Sequence, residues 1–491
     1  MTATATANRS IAIVGTGFSG LCLAIHLKKT GNDSFVLFER ASDIGGTWRE
    51  NTYPGAECDI PSALYSFSFE RNPRWSHKWS EQREILQYVK YCAEKYDLYP
   101  HIRFNKEVLD ARFDEDTGKW RVETDDGSVE HFDAFVCAVG QLHRTHTPAI
   151  EGAETFRGAK FHSAEWDHSV ALDGKKVACI GNGASAVQFL PQIAPKVERL
   201  TIFQRTANWI VPKNDRPYTE LEKRIGTIFP AFTNLQRFRI WFRGDVLLYP
   251  LMHTNTPKWL RNKSHQDAIN YINEKIRDPE RRKVLVPDYP MGAKRILFSD
   301  DIYDAYDRDN VNIVTAPIRR IVPNGVETSD GKVHEAEVLI YGTGFRTTSF
   351  LTPMRVQGRS GRVLNEVWEE KGAEAYLGIT HTGFPNFFMM YGPNTNLGHN
   401  SIIVMIECQT RYILSCLNAL NDRSAKWLDV RENVQSAYND WLQNRMKKMV
   451  WITVERSWYR TKDKVTNNWV GRTTEYRRRT RSVNPADYEF A

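Results

Sequence analysis

Two strand–glycine turn–helix units, one at the N-terminus and one mid-chain, are followed by an aromatic-rich helical stretch from about 215 to 290. Together they predict an α/β fold with two Rossmann-like dinucleotide-binding domains and a helical insertion in the second. The expected division is residues 1–150 and 346–491 for the first domain and 151–345 for the second, with the insertion inside it.

The first unit reads as a strand over Ile11–Val14, a turn Gly15-Thr16-Gly17-Phe18-Ser19-Gly20, a helix over Leu21–Lys28 and a second strand Phe35–Phe38 ending at Glu39. Gly15 permits the tight turn, Gly17 lets backbone approach a pyrophosphate, and Gly20 lets helix and strand pack closely. The pyrophosphate then meets the free N–H groups of the helix N-terminus. Glu39 follows Gly20 by 19 residues. A carboxylate there accepts from a ribose diol and repels a 2′-phosphate, which selects an unphosphorylated adenosine such as that of FAD or NAD.

The second unit has a strand over Lys176–Ile180, the turn Gly181-Asn182-Gly183-Ala184-Ser185-Ala186, a helix over Val187–Ile193 and a strand over Leu200–Phe203. Ala186 replaces the third glycine, and Gln204-Arg205-Thr206 stands where the first unit has its acid. A guanidinium there can pair with a 2′-phosphate. The two units thus divide the labour, FAD in the first domain and NADPH in the second. Val311–Val314 and Val338–Tyr341 look like returning strands, and Ser401–Leu420 and Val430–Lys447 like helices.

Composition excludes other classes. A formal charge of +7 over 491 residues is small, and there is no long basic-aromatic face, so nucleic acid is not an expected partner. The dense basic run Arg477, Arg478, Arg479 and Arg481 reads as a solvated tail. The seven cysteines contain no C-x-x-C pair, which argues against a metal site, a disulfide framework or a dithiol reductase and for reduced thiols in the cytoplasm. Residues 1–10 lack the pattern of a signal peptide. The nearest candidate for a membrane span, Phe238–Met252, is broken by Arg239, Arg243 and Asp245.

Phe156-Arg157-Gly158-Ala159-Lys160-Phe161-His162-Ser163-Ala164-Glu165-Trp166-Asp167 fits F-x-G-x-x-x-H-x-x-x-W-[P/D]. Gly45-Gly46-Thr47-Trp48, Tyr53-Pro54-Gly55 and Asp59 fit a second pattern, and Lys294-Arg295 and Tyr341-Gly342-Thr343-Gly344-Phe345 a third and fourth. In this order, over nearly the whole chain, these segments resemble the type I Baeyer–Villiger monooxygenases. The related N- and S-oxidising flavin monooxygenases typically carry Tyr in place of Trp166 and remain the alternative.

The resemblance implies a reaction. NADPH reduces FAD, O₂ adds at flavin C4a, and the peroxyflavin attacks a ketone as an anion to give an ester or lactone, with sulfoxidation as a side activity. An anion held for attack needs a fixed cation, and the resemblance assigns that role to Arg295, with Asp59 positioning it. It also implies cofactor contacts from Phe18, Gly46, Thr47, Trp48, Tyr65 and Val108 in the first domain. In the second it implies contacts from Ser185, Arg205, Thr206 and Lys294. Trp458 is expected to reach the NADP ribose through its indole N–H, with Trp469 as its competitor. Gly158, His162 and Trp166 are assigned to coupling between the domains rather than to acid–base chemistry. The insertion and Ser349–Val356 are expected to line the ketone pocket. The expected partners are a ketone and O₂, with no transmembrane segment and a monomeric or homodimeric state.

Overall fold

The computed structural model describes residues 9–454, 459–461 and 464–491. Strand β1 (Ile11–Val14) leads through Gly15–Gly17 into helix α1 (Phe18–Lys29) and strand β2 (Phe35–Glu39). The helix begins three residues earlier than its apolar spacing predicts, because Phe18, Ser19 and Gly20 are buried and helical. After β3 (Ile102–Phe104), an antiparallel run of β4 (Val108–Asp114), β5 (Lys119–Thr124) and β6 (Val129–Phe132) packs across one face of the sheet before β7 (Ala134–Cys137) rejoins it.

The second unit repeats the plan. Strand β8 (Ala159–His162) is followed by β9 (Lys176–Ile180), α2 (Ala184–Ile193) and β10 (Arg199–Phe203). The insertion supplies α3 (Glu220–Ile228), α4 (Pro230–Phe242), α5 (Lys258–Lys275) and α6 (Pro279–Leu285). Strands β11 (Val311–Val314) and β12 (Val338–Tyr341) complete the sheet in order β11–β10–β9–β12–β8, all parallel.

The C-terminal part returns to the first unit. Strand β13 (Arg355–Gln357) pairs with β4, and β14 (Phe387–Met389) completes a parallel sheet in order β14–β7–β1–β2–β3. Helices α7 (Ile402–Asp422), α8 (Glu432–Met446) and α9 (Thr473–Arg479) follow, and the strand Tyr488–Phe490 near the C-terminus pairs with Leu428–Val430. Helix α7 buries Ile403, Ile406, Ile413, Leu417 and Leu420 at helical spacing and packs against α1. Each parallel sheet is covered by helices on one face and by an antiparallel β-layer on the other: Phe135 of β7 stacks on Trp120 of β5 at 5.5 Å, and Ala178 and Ile180 of β9 pack with Ile321 and Val326 of the antiparallel strands Ile318–Val322 and Gly325–Thr328.

The structure adds to the sequence reading in two places and corrects it in one. Ala159–His162, inside the Phe156–Asp167 motif, is an edge strand of the second sheet. The chain crosses between units beside it, where Thr145 and Phe345 pair antiparallel and His146 N donates to Gly344 O at 2.8 Å. The basic run is not a tail: Arg477, Arg478 and Arg479 form the last turn of α9, where positive charge suits the helix dipole. Arg479 also lies 3.8 Å from the Trp441 ring centre. The insertion does not rest on the second unit alone. Arg237 of α4 reaches into the first unit and donates to Ala63 O (2.7 Å), Ser66 O (3.0 Å) and Ser66 Oγ (2.9 Å).

Candidate functional site

Both glycine turns open on one cavity of about 1100 Å³ between the two parallel sheets. That exceeds the roughly 300–1,000 Å³ of an ordinary small-molecule pocket. Gly15, Gly17, Phe18, Glu39, Gly46, Thr47, Trp48, Asp59, Tyr65 and Val108 line the part next to the first sheet. Gly181, Gly183, Ser185, Arg205, Thr206, Lys294 and Arg295 line the part next to the second.

The turns are built for close approach. Gly15 has φ +102° and Gly181 φ +108°, and a Cβ at either would fall 2.8 Å from Ala138 O or 2.3 Å from Gly342 O. Gly17 and Gly183 cap their helices without any side-chain cap, which leaves first-turn N–H groups to serve an anionic group in the cavity. Gly20 and Ala186 lie beneath the turns and do not line the cavity. A Cβ on Gly20 would sit 2.0 Å from Gly15 O, while Ala186 is accepted in the second turn because it faces Gly342.

The first half ends in a carboxylate. Glu39 is buried and accepts from Thr16 N (3.2 Å), Thr16 Oγ1 (2.6 Å) and Ala41 N (3.0 Å). Nearby, Trp48 Nε1 donates to Tyr65 Oη at 3.1 Å, and Phe18 meets the Tyr65 ring edge-on at 5.2 Å. These three rings form a fixed apolar wall.

The second half ends in two cations. Asn182 Nδ2 donates to Gln204 Oε1 and Thr206 O, both at 3.0 Å, and so fixes the strand end that carries exposed Arg205. Lys294 Nζ donates to Thr206 Oγ1 at 2.7 Å and lies 4.5 Å from the Tyr289 ring centre. Burial, and then the charge of Arg205, lower the Lys294 pKa. An anion placed between them would screen the repulsion by Arg205 and favour the charged lysine against its burial.

Between the halves, Arg295 Nε donates to Asp59 Oδ2 at 2.5 Å, and its Nη2 pairs with the same oxygen. Burial works to lower the arginine pKa, but Asp59 and then Tyr459 and Tyr391 outweigh it, so the guanidinium stays protonated. Asp59 follows the first unit's glycine segments, whereas Arg295 returns from the insertion. The pair therefore bridges the two units.

The residues expected to couple the two units, Gly158, His162 and Trp166, lie outside the cavity. His162 is buried, accepts from Ala164 N at 3.1 Å through Nδ1, and packs at 6.0 Å from the Phe345 ring on the crossover. Burial lowers its pKa. Trp166 packs at 5.2 Å on Phe189 of α2 and 5.1 Å on Phe161 of β8. A Cβ on Gly158 would lie 2.1 Å from Glu337 O, at the start of β12.

Trp458 lies outside the described residues. Its competitor Trp469 is fully buried and donates its indole N–H to Arg472 O at 3.1 Å, so that group is already used inside the core. The expectation that the insertion lines the pocket fails: no side chain from residues 215–290 reaches the cavity, because those helices pack outside it. Leu351, Thr352, Pro353 and Met354 do line it, within the predicted Ser349–Val356 stretch.

Several lining residues escaped sequence reasoning. Thr16, the partner of Glu39, is a variable position inside a glycine motif. Glu57 pairs with Lys213, and burial, against the pull of that lysine, pushes the Glu57 carboxyl up to about 7. Tyr391 (φ 61°) donates to Asn396 Oδ1 at 2.7 Å beside Arg295. Tyr391-Gly392-Pro393-Asn394 reads only as a turn, which hides it.

Among the described residues no helix is long and apolar enough to cross a membrane and no His, Cys, Asp and Glu group could hold a metal. All seven cysteines are buried single thiols.

The model of the flavin-binding monooxygenase-like family matches residues 8–221. Proteins named Baeyer–Villiger monooxygenase from Pseudomonas aeruginosa and Streptomyces coelicolor are 40% and 42% identical to this chain, covering 98% of it in both cases and 91% and 92% of their own lengths. The structure of OTEMO in complex with FAD and NADP superimposes with a TM-score of 0.86 at 26% identity, covering 98% of this chain and 99% of that one.

Proposed function

The chain belongs to the Baeyer–Villiger monooxygenases of the flavin-binding monooxygenase-like family, and from that premise we propose how its own residues carry the reaction. It is an FAD-dependent monooxygenase that consumes NADPH and O₂ and inserts one oxygen beside a ketone carbonyl, giving an ester or lactone. Bound FAD, once reduced by NADPH, supplies the activation of O₂.

In this reading residues 1–150 and 346–491 hold FAD and residues 151–345 hold NADPH. Gly15, Gly17 and the first turn of α1 take the FAD pyrophosphate, and Glu39 takes the adenosine ribose. Phe18, Gly46, Thr47, Trp48, Tyr65 and Val108 enclose the flavin side. Gly181, Gly183 and Ser185 take the NADPH pyrophosphate, while Ala186 holds the turn from below. Arg205, Lys294 and Thr206 take the 2′-phosphate, and the two side-by-side cations support that placement. Trp458 contacts the NADP ribose.

Arg295 is the catalytic cation. It supplies a fixed positive charge where negative charge develops as oxygen attacks the carbonyl. Asp59 holds the guanidinium in place and keeps it charged. The observation that carries this reading is the Arg295–Asp59 pair, set on the shared cavity between the two glycine turns. Gly158, His162 and Trp166 brace the second sheet against the crossover and so couple the two units. The protein acts in the cytoplasm as a monomer or homodimer.

The test is direct. Purified protein is incubated with NADPH, O₂ and a panel of linear, cyclic, aryl and steroid ketones, and products are read by mass. A gain of one oxygen on ketones supports the reading; a gain on amines with none on any ketone contradicts it.

A further inference from the structure

Helix α4 is built inside out. Its inward face carries Thr233 and Arg237, both buried, while Leu235, Phe238 and Phe242 stand 49%, 55% and 42% exposed on the opposite face. The orientation is fixed: Arg237 makes three hydrogen bonds to Ala63 and Ser66, and Trp241 Nε1 donates to Thr473 Oγ1 at 2.8 Å. The helix cannot roll its phenylalanines inward without stranding a buried guanidinium. Ile228 and Phe229 at the preceding corner are 57% and 61% exposed, and Leu247 beyond the helix is 56% exposed. Six large apolar side chains within 20 residues of chain thus face outward, far from the scattered single exposures of an ordinary surface.

Charge on this stretch has one sign. From Lys223 to Leu247 the only acidic residue is Asp245, and it is buried, accepting from Thr473 N (3.0 Å) and Thr473 Oγ1 (2.8 Å). Exposed Arg224, Arg239 and Arg243 lie among the apolar side chains. A helix with an outward Leu/Phe face flanked by arginines suits an anionic lipid surface, where rings enter the headgroup boundary and guanidinium groups meet phosphate. A second copy fits less well, because a two-fold contact would bring the same arginines together around the axis.

We propose that the α3–α4 face, from Ile228 to Leu247, docks the enzyme peripherally on an anionic phospholipid membrane. This inference does not depend on which ketone is oxidised.

The test is vesicle flotation of the FAD-loaded full chain with phosphatidylcholine alone and with phosphatidylcholine containing phosphatidylglycerol. The wild-type protein floats with the anionic vesicles and not with the neutral ones. F238S/F242S lowers the bound fraction about tenfold, and R239E/R243E removes the preference for anionic lipid. Neither pair touches the cavity, so flavin absorbance and turnover stay at the wild-type level. Wild-type protein that floats with neither vesicle overturns the proposal, as does unchanged flotation of both variants. A dimer in sedimentation that F238S/F242S abolishes, with no flotation of the wild type, overturns it in favour of a contact between copies.

Discussion

Asp59 accepts a 2.5 Å hydrogen bond from Nε of Arg295, across 236 residues of sequence. The carboxylate belongs to the unit that begins the chain and the guanidinium to the unit that follows. A movement of one unit against the other therefore acts on the pair, and the pair is complete only when the units are held as they are here. If Asp59 positions Arg295, D59N lowers kcat about 100-fold, the cost of misplacing a group by about 1 Å. The KM for NADPH and the bound flavin spectrum stay near wild type, and D59E recovers part of the loss. Steady-state kinetics of the two variants check this; equal losses in D59N and D59E contradict a positioning role.

The cations at the second strand end make a separate prediction. R205A raises the KM for NADPH about 10- to 100-fold, the value of one charge-assisted contact. The KM for NADH stays within about twofold on the same grounds. Equal losses for both coenzymes contradict the assignment.

Gly158 tests the brace. A Cβ there would press on Glu337 O, so G158A forces β8 away from β12. Overpacking of this kind costs about 1–3 kcal/mol. The expected readout is a lower thermal transition together with slower product formation. Unchanged melting contradicts the close contact.

Much of this was legible in the sequence because it depends on local chemistry. The strands Ile11–Val14, Lys176–Ile180, Val311–Val314 and Val338–Tyr341 appear with the boundaries that their apolar runs predict. Continuous apolar runs between glycine turns mark strands buried on both faces. The glycine turns were legible because their geometry excludes a side chain. The edge strand of the second sheet was less plain: β8 alternates Ala159, Lys160, Phe161 and His162 as an edge strand does, and without its partner β12 it reads as a connection. The insertion was legible as helical but not in its orientation. Helical spacing identifies an apolar face, yet α4 turns that face outward, because the bonds of Arg237 to Ala63 and Ser66 outweigh it. Tyr391 and Glu57 escaped because their importance comes from what folds against them.

His381 predicts a pH dependence. It is buried and its Nδ1–H donates to Thr382 O (2.9 Å); burial, against that hydrogen bond and with the charges of Arg362 and Lys371, lowers its pKa to about 4. In the unfolded chain it titrates near ~6.5. The folded state thus binds fewer protons between these values. The contribution is whole above pH ~6.5 and is lost as pH falls toward 4, by about 3 kcal/mol. Urea unfolding between pH 7.5 and 4.5 checks this: the midpoint of H381Q falls less steeply than that of the wild type. Parallel slopes contradict it.

Replacing Arg295 separates flavin reduction from oxygen transfer to the ketone. R295A, supplied with NADPH, O₂ and a ketone that the wild type converts, is followed at once by flavin absorbance and by product mass. NADPH still reduces the flavin within about tenfold of the wild-type rate, while ester or lactone formation falls about 100- to 1,000-fold, the usual cost of losing one preorganised stabilising group. Ester formation by R295A at a rate near that of the wild type would contradict a catalytic role for Arg295.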